Sequence, residues 1–241
     1  MSGIARARLA RAAGVLLSAV LPLLLILTSV RLLLTPAFVR MEYRLPGFPE
    51  DRYGFTLQDR LRWAPIALDY LLNNEGIEFL GDLRFADGSA VYNPSELQHM
   101  LDVKQLTGLA VSAWKGLIAV GLILGALTAW AGGAPSLWRS LRRGALWTLG
   151  LMAALGAGIA LAFSFVFVGF HELFFDPGTW TFRYSDTLIR LFPERFWRDA
   201  FTFITIGTLA MAGLILLIAS SQLARLRRAP LAGAVPEGPQ A

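Results

Sequence analysis

The chain has no cysteine and only two histidines, His99 and His171, among its 241 residues. The lack of cysteine excludes a disulfide, a thiolate metal ligand and a cysteine nucleophile. Three catalytic or ligand-binding signatures are also missing. There is no G-x-S-x-G elbow, no glycine-rich phosphate cradle and no H-E-x-x-H zinc motif, since His171-Glu172 has no second histidine to complete it. Acidic residues are scarce in three places: segments 1–11, 132–144 and 225–241 together carry nine arginines against one acid, Glu237.

Apolar residues, by contrast, are plentiful. They make up 55% of the chain, and the mean hydropathy is +0.54, above the roughly half apolar content of a soluble domain. Four runs reach the roughly 20 residues needed to cross a hydrocarbon core of about 30 Å. The pattern predicts an all-α polytopic membrane protein with four transmembrane helices, at 12–34, 105–131, 145–170 and 201–224. The first run exceeds the h-region of a signal peptide, about 7 to 15 residues, so it reads as a retained anchor.

Arginine placement sets the expected orientation, because positive charge is retained on the cytoplasmic side. The basic N-terminus (1–11), the loop at 132–144 and the Pro/Gly/Ala-rich tail at 225–241 are all expected in the cytoplasm, the tail disordered. The formal charge of +5 and the pI of 10.1 then belong to an inner rim facing membrane phospholipids. They give no indication of nucleic-acid binding. The outer surface is mildly acidic: residues 36–105 hold seven cations and eleven acids.

Residues 35–104, too long for a plain connection, are expected to form a small mixed α/β extracytoplasmic cap and the outer extension of the second span. VRMEYRL (39–45) alternates like an edge strand. Thr56 and Asp59 start an amphipathic helix that Pro65 kinks or divides. IEFLGDLRFADGSAVY (77–92) suggests a hairpin turning at Asp87-Gly88. Asn93, Pro94 and Glu96 then open a helix with no stop before the second span, which places His99 on that extension. In the second outer loop (171–200), residues from Ser185 to Trp197 suit an interfacial helix interrupted at Pro193.

Both histidines fall at outer helix ends. Glu96, His99 and Asp102 lie three apart and share a helical stripe, so either acid can accept a ring N–H of His99 and leave the other nitrogen for proton transfer. Lys115 falls within the second span or snorkels from it. Gly150, Ala154 and Gly158 form a small-residue ladder suited to close helix packing. Two histidines in this pattern also suit a bis-histidine haem or metal site joining the second and third spans, or a non-catalytic membrane scaffold.

Two segments, ELQHMLDVKQL and FHELFFDPGTWTFRYSDTLIRLFPERFW, resemble the signature blocks of the bacterial lipoprotein intramolecular transacylase family. The first matches at Glu96, His99, Met100, Asp102 and Val103. The second matches at Phe170, His171, Phe174, Trp180, Phe182, Asp186, Leu188, Ile189, Phe192, Pro193 and Trp197. The resemblance implies transfer of the sn-2 acyl chain of a diacylglyceryl-modified lipoprotein onto the α-amine of its own N-terminal cysteine, without a cofactor or metal. It implies catalytic roles for His99 and His171. Glu96, Asp102, Asp176 and Asp186 are the supporting carboxylates expected beside them. Phe174, Phe175, Trp180 and Phe182 are candidates for an acyl-binding wall, and Arg190 and Lys115 for further substrate contacts.

Overall fold

Capping side chains set where four of the helices begin. In the computed structural model, which describes residues 2–228, the Ser2 hydroxyl accepts from the Ala5 N–H at the start of α1 (Gly3–Leu33). Thr35 and Pro36 open α2 (Pro36–Glu42). Reciprocal capping boxes, Thr56 with Asp59 and Asn93 with Glu96, start α3 (Leu57–Leu72) and α5 (Pro94–Phe174). The short α4 (Glu78–Gly81) and α6 (Thr187–Leu191) lie between them, and α7 (Glu194–Arg228) follows. Residues 229–241 of the expected tail lie outside the described residues.

Three helices among the described residues, not four, are long and apolar enough to cross a membrane: α1, α5 and α7. The expected loop at 132–144 is helical, which joins the predicted second and third spans into one element of 81 residues. A straight helix of that length would extend about 120 Å. Instead α5 breaks at Gly133 (φ 70, ψ 176), a conformation essentially restricted to glycine, and folds back. His99 and His171, near its two ends, thereby come side by side. Pro135 falls in the first turn after the break, where its missing N–H leaves no helical bond unmade.

α1 packs against both arms of α5 and against α7 through small and hydroxylated residues. Ser18 Oγ donates to the Ser140 carbonyl at 2.9 Å, Ser29 and Thr208 pair at 2.9 Å, and Trp114 Nε1 donates to Thr28 at 3.1 Å. At Gly144 an added Cβ would stand 3.0 Å from the Ser18 carbonyl, so glycine there permits the close approach. The expected ladder at Gly150, Ala154 and Gly158 does not make this contact. Gly150 has nothing within 4 Å of a built Cβ, and both Gly150 and Ala154 are exposed on the surface of the bundle.

The cap is helical, which corrects the mixed α/β expectation. Residues 39–45 alternate in polarity, but Val39, Glu42 and Tyr43 are the buried positions, a spacing of three and four that belongs to a helix face. The predicted hairpin is reduced to one bridge, Arg84 to Ala90, with Gly88 at φ 85 in the turn. Its first half is α4, and α3 runs through Pro65. Leu188, Leu191 and Phe196, from the second outer loop and the start of α7, share one buried cluster with Trp63, Tyr70, Leu80 and Met100. The two outer segments therefore form a single cap. The expected interruption at Pro193 separates α6 from α7, and the residues after it open the long α7.

Candidate active site

His99 stands two turns into α5, and His171 stands one turn from its end. The fold-back at Gly133 brings their rings to 6.2 Å between centroids and within 21° of parallel. Both are about nine-tenths buried. Aromatic rings enclose the pair. Phe175 lies 5.0 Å from His99 and 5.5 Å from His171, Phe182 lies 5.3 Å from His99, and Trp180 lies 4.9 Å from His171.

His171 Nδ1 lies 2.8 Å from the carbonyl of Phe167. A carbonyl only accepts, so Nδ1 carries the hydrogen and Nε2 of the neutral ring keeps its lone pair. His99 Nδ1 is buried and has no hydrogen-bond partner, and neither has the buried Trp180 Nε1 beside His171. The site thus offers one base oriented by a backbone carbonyl, together with a second imidazole nitrogen and an indole N–H that lack a protein partner.

The neighbouring acids serve other contacts. Glu96 is 1% exposed, and its two oxygens accept from the backbone N–H groups of Asn93 at 2.8 Å and Leu188 at 2.7 Å. It ties the start of α5 to the start of α6 and does not hold His99. Asp102 accepts from Gln98 at 3.0 Å, so it does not fix the tautomer of His99 either. Asp186 accepts from the backbone of Arg183 at 2.8 Å and lines a polar recess of about 370 Å³ with Asn93, Ser95 and Phe182. Asp176 is exposed in the turn after α5.

Three of the four expected wall residues, Phe175, Trp180 and Phe182, touch the histidines. Phe174 packs on Phe170 at 5.0 Å, one ring further out, and is half exposed. Phe167 and Phe170, at 4.2 and 5.5 Å from His171, complete the enclosure. Phe167 was legible as the residue one helical turn before His171, whose carbonyl is the nearest acceptor for the ring. Arg190 lies away from the histidines. It pairs with Asp51 at 3.0 Å, donates to the Tyr53 carbonyl at 2.9 Å and lies 3.5 Å over the Phe55 ring, pinning the loop before α3. Lys115 is exposed on the first arm of α5, without an ion pair among the described residues.

Residues 15–197 match the profile of the lipoprotein intramolecular transacylase Lit family. An uncharacterised protein of Aquifex aeolicus (strain VF5) is 30% identical over 194 residues, covering 78% of this chain and 84% of that protein. The fold is that of the membrane-integral lipoprotein intramolecular transacylase Lit from Bacillus cereus, whose in meso structure superposes with a TM-score of 0.77 at 19% identity and covers 92% of this chain and 99% of that one. A structure of the same Bacillus protein with a histidine replaced by alanine superposes at 0.69. With a profile match across most of its length and an integral-membrane architecture to go with it, the chain belongs to the lipoprotein intramolecular transacylase family.

Proposed function

We propose that this protein moves the sn-2 acyl chain of a diacylglyceryl-cysteine lipoprotein onto the α-amine of the same cysteine, giving the N-acyl, S-monoacylglyceryl lyso form. The observation that carries this reading is the near-parallel pair of buried histidines, brought together from the two ends of α5 inside an aromatic enclosure. Family membership supplies the substrate class.

Direct attack of the amine on the ester carbonyl closes an eight-membered ring through N, Cα, Cβ, sulfur, two glycerol carbons, oxygen and the carbonyl carbon. Such a ring is disfavoured entropically, so holding the chain folded is a large part of the catalytic task. As the C–N bond forms, the amine loses a proton. As the C–O bond breaks, the glycerol oxygen gains one. His171, with Nε2 free to accept, takes the amine's proton; His99 delivers one to the departing oxygen. Transfer between the neighbouring rings then restores both. No enzyme nucleophile enters, in keeping with the missing cysteine and the missing serine elbow. The solved histidine variants of the Bacillus protein support interest in this residue type.

Each arm of α5 crosses the membrane once in this reading, giving four crossings with both termini cytoplasmic. The support is charge: nine arginines in segments 1–11, 132–144 and 225–241 lie at the ends remote from the histidines. The histidine pair then faces the outer surface, with acyl chains entering between Phe174, Phe175, Trp180 and Phe182.

Co-expression with a reporter lipoprotein in a strain without N-acylation tests the activity. Mass spectrometry of the N-terminal peptide should show one chain on nitrogen and one on glycerol. Both chains remaining on glycerol, with the protein well expressed, contradicts the proposal.

A further inference from the structure

The end of the bundle away from the histidines is built from small residues and arginines. Gly3, Ala7, Ala10 and Gly14 recur at three- and four-residue spacing along α1 and share one face. That face meets α5 around its break. A Cβ on Gly132 would stand 2.8 Å from Ala10 Cβ, and one on Gly14 would overlap the Ser140 hydroxyl. Because these residues are small, a cavity of about 380 Å³ opens there, and Arg6, Arg11, Arg139 and Arg143 ring it.

Among the described residues the charges in this ring have no acidic partner. The sequence holds no acid at 1–41, 103–171 or 200–228, and none of the four arginines forms an ion pair among the described residues. Arg6 is held in place by donating to the Trp130 carbonyl, with its guanidinium 5.3 Å from that ring. Arg139 donates to Ser136 Oγ at 3.2 Å. Arg11 and Arg143 face the same space with no ion pair of their own. Gathering guanidinium groups costs Coulomb repulsion, which a bound anion reverses.

The planar fork of arginine matches phosphate oxygens two at a time. The volume lies near the lower end of small-ligand sites, roughly 300–1,000 Å³, and basic pockets between membrane helices take lipid head groups. We infer that this cavity binds a phosphate group, either on the head of an anionic phospholipid or as the free ion. Bound there, the ligand clamps α1 to both arms of α5 at the turn from which the histidine-bearing ends extend.

Native mass spectrometry of the purified full-length protein tests this, with phosphatidylglycerol, phosphatidylcholine and inorganic phosphate as probes. Arg11→Gln/Arg143→Gln removes the two cavity cations that have no bond of their own. Arg225→Gln/Arg227→Gln removes equal charge outside the cavity and serves as control. The wild type and the control should retain phosphatidylglycerol over phosphatidylcholine, or bind inorganic phosphate. The cavity variant should bind the probe about thirtyfold more weakly, given the contribution of each of its two basic residues near a membrane surface. Lipid that phosphate does not displace assigns the head group; phosphate binding without retained lipid assigns the free ion. Each single replacement is measured as well, with melting temperature as a check on folding. Equal loss in the two double variants, or retention of neither probe by the wild type, overturns the inference.

Discussion

At the residue scale the proposed chemistry rests on His99 and His171, which the sequence singled out and whose rings lie side by side. They are the only two histidines, and they stand near the two ends of α5. His99→Ala and His171→Ala should each lower N-acylation by about a hundredfold or more while the melting temperature stays near wild type, read by mass spectrometry and thermal denaturation together. The role of the nearby acids was less legible. Spacing of three put Glu96, His99 and Asp102 on one stripe, but spacing does not reveal competitors: Gln98 takes Asp102, and backbone N–H groups take Glu96. Glu96 therefore acts on the fold. Glu96→Ala leaves two backbone donors without their acceptor and should destabilise the protein by about 2 to 4 kcal/mol, a loss that thermal melting detects with both histidines intact.

Helix starts were readable at the element scale because capping chemistry is local: Thr56 with Asp59 and Asn93 with Glu96 form as expected. The helix at 36–42 was not readable, because polarity in 39–45 alternates like a strand while the buried positions follow a helix. The same short helix, α2, places Glu42 in the cap interior, where both oxygens are buried without a hydrogen-bond partner. Burial pushes its carboxyl up to about 7, and the negative charge of Asp199 adds to the shift. The folded chain thus holds a proton on Glu42 at a pH where the unfolded chain has released it. That contribution to stability is full below the ordinary carboxylate range and is lost as pH rises toward neutrality. Melting temperature should therefore fall from about pH 5 to pH 8 in the wild type more steeply than in Glu42→Gln. Parallel curves for the two proteins would contradict this assignment.

Charge and hydropathy patterning at the scale of the whole molecule identified a membrane protein. The sequence suggested a loop between its two central apolar runs, because Gly132, Gly133, Pro135 and Ser136 have loop composition, whereas only Gly133 leaves the helical conformation there and the runs are arms of one helix. The natural absence of cysteine makes the orientation testable without background. A membrane-impermeant maleimide should label Ser95→Cys in intact cells, and should label Ala134→Cys only after lysis. The opposite pattern would place the histidines on the cytoplasmic face.

The central claim is that one molecule's acyl chain moves to that molecule's own amine in the enclosure around His99 and His171. Incubating the purified protein with a mixture of two diacylglyceryl-cysteine peptides, one carrying an isotopically heavy sn-2 chain and a distinct peptide mass, tests this most directly. Mass spectrometry should find the heavy chain on the nitrogen of its own peptide alone. Heavy chain on the other peptide's nitrogen, or on glycerol throughout, would contradict the account.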